Sequence, residues 1–170
     1  MRFRIEQRYR APLAGVEAAY VDPAFLDRLA SLPKLGAPTL LDQVVDGDLV
    51  HQKIRFRFTG DVSPAVRRVV DPARLTWVEE STLDRRTHVT TWRIVPDHYG
   101  GMIRCAGTFR LTDDDGVGAG TAGTRRTAEA DIKVNVPLVG GKVERAIVSG
   151  LEEHAAAEAE VLEDWLSTAS

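Results

Sequence analysis

The C-terminal part of the chain carries the longest helical pattern in the sequence. Residues 138–166 read LVGGKVERAIVSGLEEHAAAEAEVLEDWL. Apolar residues in this stretch recur at steps of three and four, which is the spacing of one face of an α-helix. They are Val143, Ile147, Leu151, Ala155, Leu162 and Trp165 or Leu166. The spacing predicts one amphipathic helix of about seven turns, whose apolar face packs on the rest of the protein.

Much of the preceding chain alternates with a period of two residues, which is typical of strands with one buried face. The alternation is clearest over 49–58, where one face carries Val50, Gln52, Ile54, Phe56 and Phe58. A first strand is predicted over 1–10, with Tyr9 on its apolar face. Further strands are predicted over 39–45, 75–83, 87–95, 102–111 and 123–136.

Residues 12–32, between the first two strands, change to the helical period. Asp22-Pro23 interrupts this pattern. Because aspartate is a good N-cap and proline is tolerated in the first turn of a helix, a new helix is expected to begin here. We therefore predict two short helices, over 12–20 and 23–32.

Composition narrows the class of protein. The chain has 170 residues, of which 44% are hydrophobic and 28% charged, as in one ordinary globular domain without a structural metal. Its single cysteine, Cys105, excludes an internal disulfide framework and fits a reducing compartment, so we expect a cytoplasmic protein. A net charge of −3 does not favour nucleic-acid binding, and no apolar stretch is long enough for a signal peptide or a membrane span.

The sequence lacks the common catalytic, nucleotide-binding and metal-binding motifs, or has them in the wrong structural context. The glycines at 118, 120 and 123 match G-x-G-x-x-G, but they lie in a predicted loop, DDDGVGAGTAG over 113–123, that opens a strand instead of a helix. The sequence has no P-loop, no His-Glu-x-x-His and no nucleophile elbow, and its four histidines lack metal-ligand spacing. We therefore predict no metal site and no cofactor.

The predicted order is strand, two short helices, about six antiparallel strands and one long helix. This order, together with NVPLVGGKVER over 135–145, resembles the START-like (SRPBCC) superfamily with its helix-grip fold. The superfamily includes polyketide cyclases, birch-pollen-allergen-like proteins and lipid-transfer domains. The resemblance covers nearly the whole chain and is greatest to an uncharacterised bacterial branch, one of the domains of unknown function.

The resemblance implies one START-like domain over 1–170 with an α+β fold. A curved antiparallel sheet of about seven strands would wrap around the C-terminal helix, with a cavity between them that takes an apolar small molecule. Candidate ligand-binding residues lie on the inward faces of the predicted strands and on the helix stripe. They are Tyr9, Gln52, Ile54, Phe56, Phe58, Trp77, His88, Trp92, Ala128, Ala130, Ile147, Gly150 and Leu151.

Several of these residues have a purely structural alternative. His88 shares a predicted strand face with Trp92, so it either orients a ligand or is an ordinary core or surface histidine. Gly150 costs stability inside a helix, so we expect it to provide space for a ligand, a hinge in the helix, or close packing against a bulky strand residue. The aromatic residues are either pocket lining or plain core. The pair Arg125-Arg126 is expected to be solvated, and Cys105 to be an inert buried thiol.

Three functions remain open at this stage. The preferred one is a non-catalytic module that binds an apolar or amphipathic small molecule, lipid-like or polyketide-like, between sheet and helix. The second is a cyclase, aromatase or dehydratase, with His88, Gln52 and Tyr9 as candidate catalytic groups. The third is a co-chaperone-like interaction protein whose cavity is filled by its own side chains.

Overall fold

A computed structural model describes residues 1–32, 34–68, 70–115 and 123–168, apart from the side chains of residues 65 and 66. The described chain forms one seven-stranded antiparallel sheet. Its strands are β1 (Arg2–Tyr9), β2 (Thr39–Asp46), β3 (Leu49–Arg57), β4 (Thr76–Asp84), β5 (Val89–Pro96), β6 (Ile103–Asp114) and β7 (Gly123–Val134). The helices are α1 (Leu13–Tyr20), α2 (Pro23–Arg28), α3 (Pro64–Arg67) and α4 (Gly140–Thr168), with 3-10 turns at Leu29–Ser31 and Pro72–Arg74.

The strand order is β1-β7-β6-β5-β4-β3-β2, so β1 and β2 form the two edges of the sheet. The first strand pairs with the last one, with Phe3 opposite Ala130 and Gln7 opposite Arg126. The other pairs join neighbours in sequence. The long helix α4 packs on β1 and β7, and α1 and α2 pack on α4. The predicted α+β helix-grip architecture is confirmed.

Element boundaries differ from the predictions where local geometry overrides the pattern. The second helix is α-helical only to Arg28 and continues as a 3-10 turn, and β3 ends at Arg57, one residue before Phe58. Strand β5 begins at Val89 because His88 has a left-handed backbone, with φ +56°, which no strand residue adopts. Strand β7 ends at Val134, two residues early. Most of the predicted loop over 113–123 lies outside the described residues.

The start of α4 is tied to the end of β7. A β-carbon at Gly140 would lie 2.4 Å from the carbonyl oxygen of Val134, so only glycine permits this approach. The buried carboxylate of Glu144 accepts a hydrogen bond of 2.9 Å from the backbone N–H of Val134. Glu144 was not part of the predicted apolar stripe, and it is buried because it satisfies this backbone group.

Buried apolar residues form two separate clusters. The first core cluster lies around α1, α2 and the C-terminal half of α4, and its largest members are Tyr9, Phe25 and Leu162. The second core cluster lies around the start of α4, with Trp92, Ile132 and Val148 among its members. Polar side chains lie on the inner face of the sheet between these clusters, and they define the candidate site. No helix among the described residues is long and apolar enough to cross a membrane.

Candidate functional site

Arg126 is the centre of a buried polar cluster. Its side chain, on the inner face of β7, is only 11% exposed. The guanidinium donates a hydrogen bond of 2.6 Å to the Gln7 amide oxygen and one of 3.3 Å to Glu158 Oε1. Burial by itself lowers the pKa of Arg126, but Tyr20, Glu158 and other neighbours outweigh burial and raise the pKa above its ordinary value. The guanidinium is therefore permanently charged.

Two tyrosines complete this cluster. The Tyr9 hydroxyl lies 2.7 Å from the Tyr20 hydroxyl, which in turn donates to Glu158 Oε1. Burial raises the pKa of both phenols, so they remain protonated. We call Gln7, Tyr9, Tyr20, Arg126 and Glu158 the polar cluster. It joins β1, α1, β7 and α4 through charge-assisted hydrogen bonds.

Aromatic rings enclose the Arg126 guanidinium. Its Cζ lies 4.2 Å from the ring centre of Tyr20 and 3.9 Å from that of Phe109. Phe109 is stacked in turn on Trp92, with ring centres 5.2 Å apart. The indole Nε1–H of Trp92 is buried and has no acceptor in the part of the chain that the structure describes. A buried donor of this kind is a position at which a ligand oxygen would gain a hydrogen bond.

Glu79 brings a titratable group to the same inner face. It lies on β4, opposite Ile54 of β3 and Ile94 of β5. Burial raises the pKa of Glu79 to about 7, with Arg126 opposing the shift and Glu158 adding to it. The Glu79 carboxyl group therefore takes up or releases a proton near neutral pH, which is the property of a general acid or base.

The middle of α4 is less covered than its ends. Residues 144, 148, 151, 155, 158 and 162 follow one another at steps of four and three, so they share one face of the helix. Every one of them is buried except Leu151, which lies at the centre of that face and is only half-buried. A β-carbon at the neighbouring Gly150 would meet nothing within 4 Å. We call the region between this part of α4 and the inner face of β3–β5 the helix–sheet space.

Most of the predicted site residues lie on the inner face of the sheet or on α4. Buried on the inner face of the sheet are Tyr9, Gln52, Ile54, Trp92, Ala128 and Ala130. Half-buried on the sheet and on α4 are Phe56, Trp77, Ile147, Gly150 and Leu151. Gln52 donates a 3.1 Å hydrogen bond to Gln43, and Phe56 stacks on Trp77. Close packing does not explain Gly150, because no bulky residue of the described chain touches the position of its missing side chain.

Two predicted residues lie away from the site. His88 was expected on the inner face of a strand, but it lies in the β4–β5 turn, its side chain is 40% exposed, and Nδ1 is 2.7 Å from Glu17 Oε2. Its left-handed backbone directs the chain out of the strand. Phe58 follows the end of β3, where its ring lies against Gly60 and its backbone forms an isolated bridge with Leu35.

The sequence interpretation missed the charged residues of the interior. Arg126 was expected to be solvated, and that expectation is wrong because the side chain is only 11% exposed and its Nη1 donates hydrogen bonds to Gln7 and Glu158. A signal for it was present, since Arg126 is two residues before Ala128 on the same face of β7. Glu79 is likewise two residues after Trp77 on β4. Cys105 is buried as expected, and burial raises the pKa of its thiol to about 12.

Two open concavities lie outside the helix–sheet space. One, of about 430 Å³, runs between β1 and α4 along Arg4, Arg8 and Ala156. The other, of about 650 Å³, lies on the outer face of β3–β5 beside His51 and Arg93. No group of three or more His, Cys, Asp or Glu side chains within the described ranges is placed to hold a metal ion.

The architecture and its interior define a helix-grip protein with polar groups buried between sheet and long helix. The chain matches the family described as "Protein of unknown function (DUF2505)" over residues 4–166, and it therefore belongs to this family. No curated protein matches the sequence.

Solved structures share the fold at low sequence identity. The TTHA0849 protein of Thermus thermophilus is 16% identical, with a TM-score of 0.69 over 100% of this chain and 99% of that one. The Zhui aromatase/cyclase of Streptomyces sp. R1128 is 12% identical, with a TM-score of 0.61 over 98% of this chain and 93% of that one. At these identities the similarity establishes the fold and leaves function to the site itself.

Proposed function

We propose that this protein binds an apolar or amphipathic small molecule, lipid-like or polyketide-like, in the helix–sheet space, as a cytoplasmic, START-like carrier without a cofactor. The observation that carries the proposal is the half-buried Leu151 at the centre of an otherwise buried helix face, beside Gly150 with nothing within 4 Å. A well-packed core leaves no such gap. An apolar ligand would cover Leu151 and the half-buried rings of Phe56 and Trp77.

Polar groups on the inner face would orient the ligand. Trp92 offers a buried indole donor without an acceptor in the described chain, and Glu79 offers a carboxyl group on the neighbouring strand. Arg126 is less suited to bind a ligand because its guanidinium is already occupied by Gln7, Glu158 and two rings. We infer that the apolar body of the ligand accounts for most of the affinity, and that one or two polar atoms determine its orientation.

The test is native mass spectrometry of the protein purified without detergent, followed by extraction and identification of bound compounds. We expect a stoichiometric apolar adduct. The Gly150→Leu variant should lose it, because the larger side chain would fill the space, whereas Ser149→Leu on the exposed side of α4 should retain it. A bare wild-type protein that also fails to bind lipids and aromatic compounds would reject the proposal and favour the interaction-protein alternative with a filled cavity.

Catalysis is the second candidate function, and Glu79 is the observation that favours it. A carboxyl group with a pKa of about 7, within electrostatic influence of the Arg126 cation, is suited to moving a proton during cyclisation or dehydration. His88 is a weaker candidate because it lies in an exposed turn. Once a ligand is identified, Glu79→Gln should abolish turnover if the protein is an enzyme. The matched control is Glu80→Gln, on the outer face beside Arg93, which should leave any turnover unchanged.

A further inference from the structure

The loop between β7 and α4 displays an apolar side chain to solvent. Leu138 is completely exposed, whereas most other large apolar residues are at least partly covered. Its backbone is left-handed, with φ +65°, a conformation that is unfavourable for leucine. Backbone hydrogen bonds from Val139 N to Pro137 O and from Gly140 N to Val136 O hold the loop on either side. The fold thus maintains an unfavourable conformation that presents leucine outward.

Cationic residues lie on β7 and α4, which lead into and out of this loop, and on β6, which pairs with β7. Arg104 and Lys133 lie directly opposite each other on β6 and β7, a like-charge pair that weakens a sheet. Lys142 and Arg145 lie in the first turns of α4, where positive charge is unfavourable next to the helix dipole. None of the four forms an ion pair with another described residue. We call Arg104, Lys133, Leu138, Lys142 and Arg145 the Leu138 surface.

The acidic groups nearest this surface are already engaged. Glu144 is buried, accepts a hydrogen bond from Val134 and lies 3.6 Å from the amino group of Met1. Asp131 pairs with Arg2. The chain as a whole carries a net charge of −3, so the cations of the Leu138 surface represent a local excess of positive charge.

We propose that the Leu138 surface docks the protein peripherally on an anionic phospholipid bilayer, with Leu138 inserted between headgroups and the four cations facing lipid phosphates and carboxylates. A charged membrane attracts such a surface in two ways. Its acyl region buries the apolar residue, and its negative surface potential attracts the cations. A nucleic acid would bind the cations but would give Leu138 no apolar environment, and an acidic protein would need an apolar pocket that matches Leu138. The lipid surface is therefore the partner that accounts for both features.

The test is co-sedimentation with vesicles of phosphatidylcholine alone and of phosphatidylcholine with about 30% phosphatidylserine. We expect binding to the anionic vesicles only, weakened by added salt. Leu138→Asn should reduce the partition coefficient about tenfold while the protein stays folded, because asparagine tolerates a left-handed backbone. Leu138→Trp should restore or increase binding. The double variant Lys142→Gln, Arg145→Gln should lose roughly 25-fold.

Matched controls lie far from this loop. Leu41→Asn removes a partly exposed leucine from the edge strand β2, and Arg110→Gln removes a cation without an ion pair among the described residues, near the other end of β6. Both should bind vesicles as the wild type does. Equal binding to the two vesicle types, unchanged binding of Leu138→Asn, or an equal loss in the controls would each overturn the proposal. Thermal melting of every variant separates loss of docking from loss of folding.

Discussion

The C-terminal half and the middle of α4 face different environments although both belong to one continuous helix. In the C-terminal half Leu162 is completely buried in the first core cluster, and the ring centre of Trp165 lies 6.1 Å from that of Phe25. In the middle, Leu151 on the same helix face is half-buried and Gly150 has open space beside it. The difference arises because α1 and α2 cover the C-terminal half. A single amphipathic helix thus contributes both a core and one wall of the proposed binding space.

The polar cluster lies at the boundary between these regions, and removing its cation should have the largest effect. Arg126→Met leaves the buried Glu158 without the guanidinium that neutralises it, so we expect a loss of about 4 kcal/mol in the free energy of unfolding. Urea denaturation measures this loss. Arg110→Met, which removes an arginine without an ion pair among the described residues, should change stability by less than about 0.5 kcal/mol. Equal effects of the two substitutions would mean that the cluster does not stabilise the fold.

Truncating one leucine in the C-terminal half and one in the middle of α4 tests the comparison directly. Leu162→Ala should cost about 3 kcal/mol of stability, because it creates a cavity in a closed core. Leu151→Ala should cost about 1 kcal/mol or less in the ligand-free protein, because that side chain is only partly covered. Thermal or urea denaturation gives both values. Similar losses would show that the middle of the helix is packed as tightly as its end.

Glu79 predicts how stability depends on pH. Its pKa is about 7 in the folded protein and 4.5 ordinarily, so between these values the folded state binds more protons than the unfolded state. Stability should therefore fall as pH rises from about 4.5 to 7, by at most about 3 kcal/mol from this group. Glu79→Gln should remove that part of the slope, whereas Glu80→Gln should keep it. A slope unchanged in Glu79→Gln would contradict the burial of this carboxyl group.

Filling the gap at position 150 should have the smallest effect and the opposite sign. Gly150→Ala adds a methyl group that meets nothing within 4 Å and improves helix propensity, so stability should increase by about 1 kcal/mol. Gly107→Ala is the contrasting substitution, because its β-carbon would lie 2.3 Å from the carbonyl oxygen of Glu129 and should destabilise the sheet. A loss of stability in Gly150→Ala would mean that this part of α4 is already closely packed.

Local sequence periodicity was sufficient to predict most of the fold. Alternation over 49–58 places Gln52 and Ile54 on the buried face of β3, and the spacing of three and four predicts α4. Both elements bury one face only, and burial of one face gives the sequence a periodic pattern of apolar residues. Boundaries were less accurate at His88 and Phe58, where a left-handed residue and the end of strand pairing terminate elements that the pattern continues.

The candidate site was only partly predictable. Tyr9, Gln52 and Trp92 were predicted because they lie on the apolar faces of predicted strands, and all three are buried on the inner face of the sheet. Arg126 and Glu158 were missed because charged residues are almost never fully buried unless they are paired. Their pairing joins positions 32 residues apart on β7 and α4, and periodicity contains no information on such contacts.

By itself, therefore, the sequence determined the helix-grip elements, because each strand or helix carries its own hydrophobic period. Tertiary structure alone decided that Arg126, Glu158 and Tyr20 form one cluster, that burial raises the pKa of Glu79 to about 7, and that Gly150 lies beside open space. These properties depend on which distant side chains meet and on how much water is excluded around them. Both are set only when the sheet closes against the long helix.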